Sequence, residues 1–377
     1  MKKNNSKLIV LAVLLVVAIV ALIVVFINMG KPKEEPAPET EVTQVEEPEP
    51  EPVVEEEPEP EPEPGYISLL TGEEMDKKYE GKRPIALMIE NTSMCQPHYG
   101  INKAGIIYEC PVEGGITRLM GVFEDYNGLK RLGNVRSCRP YYVYIASEFD
   151  AIYMHYGQST QGKELLATGI VDNLSGLDGS VTGDVYYRSN DKKAPHNAYT
   201  STAGIKAGIK KKDYRKKLAD GITSHFTFTD ADHPITLSEG KEAAVVAPYF
   251  MDNHPYFIYD EKDGLYYRYQ FKDKEMDAVD DKQVAVKNII YQNVKSVFYS
   301  DGYRLNLTMT GSGEGKYFTN GRYIDITWKK DSDTSRTVYY GPDGSELTIN
   351  PGKTWVCVIE SKYEDRNKIY KTREEFK

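Results

Sequence analysis

Residues 114–140, GGITRLMGVFEDYNGLKRLGNVRSCRP, read as strand, turn, strand and helix start. Ile116–Glu124 is a largely apolar run of strand length, and Tyr126-Asn127-Gly128 is a turn signal. Arg131–Val135 reads as the returning strand. Pro140–Phe149 reads as a helix, with Ser137 or Arg139 at its N-cap and Pro140 in its first turn. Arg136 and Arg139 then fall at a helix N-terminus, where unpaired N–H groups already carry roughly half a positive charge. Arginines there repel the helix dipole, and a bound anion would reverse the sign of that cost. A hairpin of the two strands would also bring Arg118 near Arg136. Ser137 and the backbone N–H groups after it would complete a cradle for an oxyanion or phosphate. The competing expectation is that Arg118, Arg136 and Arg139 pair with local acids such as Glu113, Glu124 and Asp125 and hold no ligand.

Outward from this stretch the pattern alternates. Pro84–Glu90, Ile106–Cys110 and Ala151–Tyr156 read as strands; Lys163–Ala167 and Gly204–Leu218 read as helices. Alternation of this kind predicts an α/β layer structure over 65–221. From residue 222 the character changes. Asp263-Gly264, Asp301-Gly302, Asn320-Gly321 and Asp343-Gly344 separate aromatic and β-branched runs such as Leu265–Phe271, Tyr323–Trp328 and Thr354–Ile359. Short strands spaced by such turns predict a mostly antiparallel β domain over 222–377.

Upstream, residues 1–30 carry an address. Leu8–Ile27 is an apolar run of 20 residues, long enough to cross a bilayer core of roughly 30 Å as a helix. It exceeds the usual signal-peptide core, no small-residue cleavage site follows, and no cysteine lies near it. The expectation is an uncleaved single-pass anchor in the cell membrane. Lys2, Lys3 and Lys7 precede the run, which favours an inside N-terminus and a chain whose bulk lies outside the cytoplasm. Residues 31–64 hold 14 Glu, 10 Pro and two Lys, a composition predicting a disordered, extended tether.

That tether explains the overall charge of −10. The first seven residues carry +3 and the tether −12, so residues 65–377 carry −1. A near-neutral ectodomain has no electrostatic footprint for nucleic acid. Its basic residues therefore act locally, toward an envelope polymer, a phospho-ligand or an envelope protein. Cys95, Cys110, Cys138 and Cys357 permit disulfides outside the cytoplasm, with buried thiols as the alternative.

His155 follows a buried-looking strand, and His196 sits in the polar loop Ala194-Pro195-His196-Asn197. Both are outlying candidates for acid–base or phosphate chemistry, set against a structural role. Ser159 lies near His155, but no G-x-S-x-G surrounds it. The six histidines and four cysteines show no H-x-x-x-H or C-x-x-C, so no metal site is expected. No Walker loop, dinucleotide fingerprint or calcium loop appears, no cofactor is evident, and no catalytic residue is assigned.

Several segments resemble the YerB-like family of bacterial envelope proteins, a family without established function. They are Arg83-Pro84-Ile85-Ala86-Leu87-Met88-Ile89-Glu90-Asn91, Glu113-Gly114-Gly115-Ile116-Thr117-Arg118, Gly133-Asn134-Val135-Arg136-Ser137-Cys138-Arg139, Lys193-Ala194-Pro195-His196-Asn197, Asn288-Ile289-Ile290 and Pro351-Gly352-Lys353-Thr354-Trp355. The resemblance implies an N-terminal α/β domain, a C-terminal β domain and an envelope location. Many members look like lipoproteins, whereas this chain shows a membrane run and no cysteine for lipidation. The arginines and acids also resemble those of the LytR-CpsA-Psr phosphotransferases, which act on polyprenyl-pyrophosphate-linked glycopolymers. That likeness implies Arg118, Arg136 and Arg139 as phosphate ligands, and Glu113 or Asp125 holding a divalent cation. The pattern is not matched residue for residue, since Arg139 is followed by Pro140 rather than by an acid.

Overall fold

Ile85–Asn91 is buried at every position, and a strand of that kind needs cover on both faces of its sheet. The computed structural model describes residues 65–376. The apolar run at 8–27 and the Pro/Glu tether at 31–64 lie outside the described residues. Among the described residues, no helix is long and apolar enough to cross a membrane.

The described residues are mostly sheet with few helices. The strands of its main sheet are β1 (Ile85–Asn91), β2 (Ile106–Pro111), β3 (Thr117–Phe123), β4 (Ile152–His155), β5 (Asn173–Ser175), β6 (Lys241–Glu242), β7 (Asn288–Val294), β8 (Gly311–Thr319), β9 (Arg322–Lys330), β10 (Val338–Tyr340) and β11 (Thr354–Glu360). They lie in the order β6-β9-β8-β7-β11-β2-β3-β1-β4-β5, with β10 also paired to β9. Strands from before and after residue 222 share this sheet. They meet where β11 runs parallel to β2, with Thr354 opposite Ile106 and Cys357 opposite Glu109. A smaller antiparallel sheet includes Val245–Ala247, Tyr256–Asp260 and Leu265–Gln270.

The period-2 alternation of the strands feeds two cores, one on each face. Ala86 and Met88 of β1 pack with Tyr108, Met120 and helix α1 (Pro140–Glu148). Ile85, Leu87 and Ile89 pack with Leu119, Ile205 and Ile209, the last two from helix α3 (Thr202–Lys211). Each such buried aliphatic side chain contributes about 1.5–3 kcal/mol of transfer free energy. Between α1 and α3 in the chain, α2 spans Thr160–Leu166. Ser159 and Ser201 cap α2 and α3, their side chains accepting from Gly162 N and Gly204 N. The expected helix over Gly204–Leu218 starts earlier and stops at Lys211, just before Asp213 turns left-handed at φ 53°. All four cysteines are buried and unbridged.

The hairpin expected between Ile116–Glu124 and Arg131–Val135 does not form. Both edges of β3 are already taken, by β2 on one side and β1 on the other. Leu132–Gly133 pairs instead with Ala198–Thr200. Residues 134–136 then enter a gap between β1 and β4. These strands pair in parallel only over Ile85–Leu87 and Ile152–Met154. Beyond that, Arg136 N donates to Met88 O at 3.1 Å, Glu90 N to Asn134 O at 2.9 Å, and Tyr156 N to Arg136 O at 3.0 Å.

Candidate functional site

Crevices outside the carboxyl ends of parallel strands are the usual ligand sites of open sheets. Here β1 and β4 run parallel and end at Asn91 and His155. Antiparallel β3 begins at the same edge, with Arg118 in register opposite Glu90. The 134–138 wedge sits between the splayed ends. Arg118, Arg136 and Arg139 are thus brought into one electrostatic neighbourhood without the hairpin.

Their circumstances differ. Arg139 is the N-cap of α1, with extended backbone. Its Nε donates to Glu113 Oε1 at 2.7 Å and its Nη2 to Glu113 Oε2 at 2.6 Å, a two-point grip. Glu113 is presented by the turn Glu113–Gly115, in which Gly114 and Gly115 take φ 75° and 77°. Glycine suits both positions because a Cβ would be strained there. Burial pushes the Glu113 carboxyl up, but hydrogen bonding to Arg139 and the charges of Arg139 and Arg118 outweigh it. The group lies below the ordinary carboxylate range. The helix-dipole cost of Arg139 is thereby offset within the protein. Arg136 faces Glu90, Nε to Oε2 at 3.3 Å, and its Nη1 donates to Pro195 O at 3.5 Å.

Arg118 makes no ion pair among the described residues. Its Nη1 donates to Ser137 O at 3.0 Å. Its Nε and Nη2 make no hydrogen bond there, and the residue is 6% exposed. This is the same guanidinium edge that Arg139 uses on Glu113. Burial, with Arg139 and Arg136 close by, pushes the Arg118 pKa down to about 10, so it stays charged at neutral pH. Three guanidinium groups stand against the carboxylates of Glu90 and Glu113, leaving one positive charge over.

Ser137 supplies less than the expected cradle. Its hydroxyl donates to Tyr156 O at 3.3 Å, and the next N–H, of Cys138, donates to Gly157 O at 3.0 Å. Asp125 lies just past the other end of β3. There it accepts from Tyr79 Oη at 2.7 Å, Lys103 Nζ at 2.9 Å and Asn127 N at 2.9 Å. Seven residues of strand place it on the order of 20 Å from Arg118. His155 is fully buried. Its Nδ1 lies 2.8 Å from Gly157 O and its Nε2 3.3 Å from Asn173 Oδ1, with the ring stacked on Tyr153. Burial pushes its pKa down, so the ring stays neutral and held. Ser159 is committed to its cap.

His196 does reach the site. Its Nδ1 lies 2.7 Å from Glu90 Oε1 and 3.9 Å from Cys95 Sγ. A thiol, an imidazole and a carboxylate suggest a nucleophilic relay, but thiol and acid approach the same ring nitrogen, which leaves no path from one through the ring to the other. Burial and the Glu90 charge also push the Cys95 thiol up to about 12. Glu90 and Cys95 were not singled out from the sequence. The available signal was a carboxylate ending an otherwise apolar buried run, Ile85-Ala86-Leu87-Met88-Ile89-Glu90.

A cleft of 660 Å³ lies elsewhere. It is lined by Asn102, Asp280, Lys287 and Lys353 among others, and by none of the arginines. It therefore adds nothing to the arginine site.

Two family models match the chain. The Protein of unknown function (DUF3048) N-terminal domain covers residues 70–215, and the corresponding C-terminal domain covers 245–356. Over 290 residues the chain is 30% identical to a protein of Bacillus subtilis (strain 168) described as "Putative lipoprotein YerB", spanning 77% of this chain and 85% of that one. The crystal structure of YerB protein from Bacillus subtilis matches with a TM-score of 0.70 at 29% identity, over 81% of this chain and 99% of that one.

Proposed function

The chain belongs to the DUF3048 family that includes YerB, and on that premise we propose that it is an extracytoplasmic envelope protein that binds an anionic ligand through Arg118. The membrane location is supported by the apolar run at 8–27 and by the description of the Bacillus relative as a "Putative lipoprotein". In this reading the N-terminus lies inside, the tether spaces the folded part from the bilayer, and the partner is a phosphate- or carboxylate-bearing envelope component.

One observation carries the anion reading. Arg118 holds its Nη1 on Ser137 O and, among the described residues, leaves its Nε/Nη2 edge without a partner. That edge matches two oxygens of a carboxylate or phosphate. Arg136 and Arg139 flank it, each steadied by its own carboxylate. The phosphotransfer alternative would need a carboxylate to hold a divalent cation beside the arginines. Glu113 is committed to Arg139 and Asp125 is engaged at the far end of β3, so neither supports it.

Calorimetric titration of the full-length protein in detergent with pyrophosphate, and then with phosphate, tests the binding. We expect saturable binding that weakens with salt and is lost in Arg118→Met. No binding to the wild type, or equal binding to the variant, would remove the reading.

A further inference from the structure

We propose that Glu90, Cys95 and His196 form a zinc(II) site, distinct from the anion edge of Arg118. One donor atom from each of the three lies within 4.8 Å of the other two. Zinc bond lengths to sulfur, nitrogen and oxygen place tetrahedral ligands roughly 3.3–3.6 Å apart. The observed separations are 2.7 Å from His196 Nδ1 to Glu90 Oε1 and 3.9 Å from His196 Nδ1 to Cys95 Sγ. For these two pairs shifts of less than about 1 Å reach that geometry, and the third pair lies within 4.8 Å.

The donors sit on backbone fixed by other contacts. Glu90 ends β1, and its N–H donates to Asn134 O at 2.9 Å. Cys95 closes a short 3-10 turn, Ser93–Cys95, and its N–H donates to Thr92 O at 2.9 Å. The His196 loop is held by its own N–H, donating to Lys193 O at 2.9 Å, and by Asn134 Nδ2, which donates to His196 O. The Glu90 carboxylate is 2% exposed; its Oε2 is paired with Arg136 Nε at 3.3 Å, and its Oε1 is the oxygen that faces His196.

The donor set selects the metal class. A thiolate with an imidazole favours zinc over magnesium or calcium, which take shells of oxygen. Zinc would displace the Cys95 proton to solvent, giving Zn²⁺ bound by one thiolate, one carboxylate and one neutral imidazole. Three protein ligands leave a fourth position, as in zinc sites that bind water or substrate. It would open on the His196 side, where that side chain is 19% exposed. The donors fall at positions 90, 95 and 196, so no short motif reveals them.

Cobalt(II) titration of the reduced, chelator-treated full-length protein tests the site. The expected result is one equivalent of Co²⁺ with a thiolate-to-cobalt charge-transfer band and tetrahedral visible absorption, both displaced by Zn²⁺. Cys95→Ser should abolish the charge-transfer band, and Cys138→Ser should keep it. His196→Gln alters a partly exposed loop residue and guards against a misfolded Cys95 variant. It should weaken Co²⁺ binding at least about tenfold, the scale seen on losing even an outer-shell partner. No band in the wild type, a band that persists in Cys95→Ser, or unchanged affinity in His196→Gln would each overturn the site.

Discussion

Arg268 and Arg118 are both buried arginines, and they differ in how their charge is met. Arg268, on Leu265–Gln270, is fully buried. Its Nη2 donates to Glu109 Oε2 at 2.7 Å, its Nη1 to Glu275 Oε2, and the guanidinium lies 4.2 Å from the Trp355 ring centroid. Glu109 also accepts from Asn91, Thr117, Asn253 and Trp355. Glu275 Oε1 lies 2.8 Å from His98 Nδ1. The one Arg268 nitrogen without a partner, Nε, is sealed from solvent. Among the described residues Arg118 has no carboxylate of its own, and two of its nitrogens have no partner. A charge that only holds a fold together is enclosed by its counter-charges. A buried charge with an unpartnered edge is open to a counter-charge from outside.

The largest effect should come from breaking the enclosed network. Arg268→Met leaves Glu109 and Glu275 buried without their cation, and we expect a loss of about 3–5 kcal/mol, or no folded protein. Urea denaturation of the full-length protein measures this. A loss below about 1 kcal/mol would show that the network is not the fixed partner in the comparison.

Glu113→Gln should be intermediate. It leaves Arg139 without a carboxylate, and we expect a loss of about 1–3 kcal/mol together with tighter pyrophosphate binding, because the local positive charge rises. Acid sensitivity supplies a second readout. The Glu113 carboxyl is held below its ordinary 4.5 in the folded protein. Its contribution is therefore present above that value and is lost as pH falls through the lower, folded one. The wild type should lose stability over that acid range more steeply than Glu113→Gln. Parallel acid profiles would remove Glu113 from the ionic part of the site.

Much of this arrangement was legible in the sequence, for reasons that also mark where it stopped. Pro84–Glu90, Ile106–Cys110 and Thr354–Ile359 announce strands because their apolar runs are local. Pro140 announced a helix start because its ring fixes φ. The pairing of strands is not local. Nothing in residues 116–135 says that β1 and β2 occupy both edges of β3, so the hairpin was the natural but mistaken reading. The arginine cluster survived that error because the 134–138 wedge returns Arg136 to β1 by another route. Cys95 and His196 escaped notice as a pair because 101 residues separate them, and only the fold closes that distance.

The smallest change in stability should come from Arg118→Met, and it bears most directly on function. The substitution keeps an apolar stem for the buried part of the side chain. It gives up one hydrogen bond, to Ser137 O, worth about 0.5–1.5 kcal/mol. It also removes a buried cation that faces two like charges, the pair whose repulsion, after burial, lowers the Arg118 pKa. These terms oppose one another, so we expect stability unchanged or slightly raised, within about 1 kcal/mol, in urea at neutral pH. The wild type alone should gain from pyrophosphate, by about 2.7 kcal/mol when the ligand stands at a hundred times its dissociation constant. A structural arginine would give the reverse pattern. The variant would lose several kcal/mol, as expected for Arg268→Met, and neither protein would respond to the anion. The distinction between the enclosed charge and the open one would then be gone.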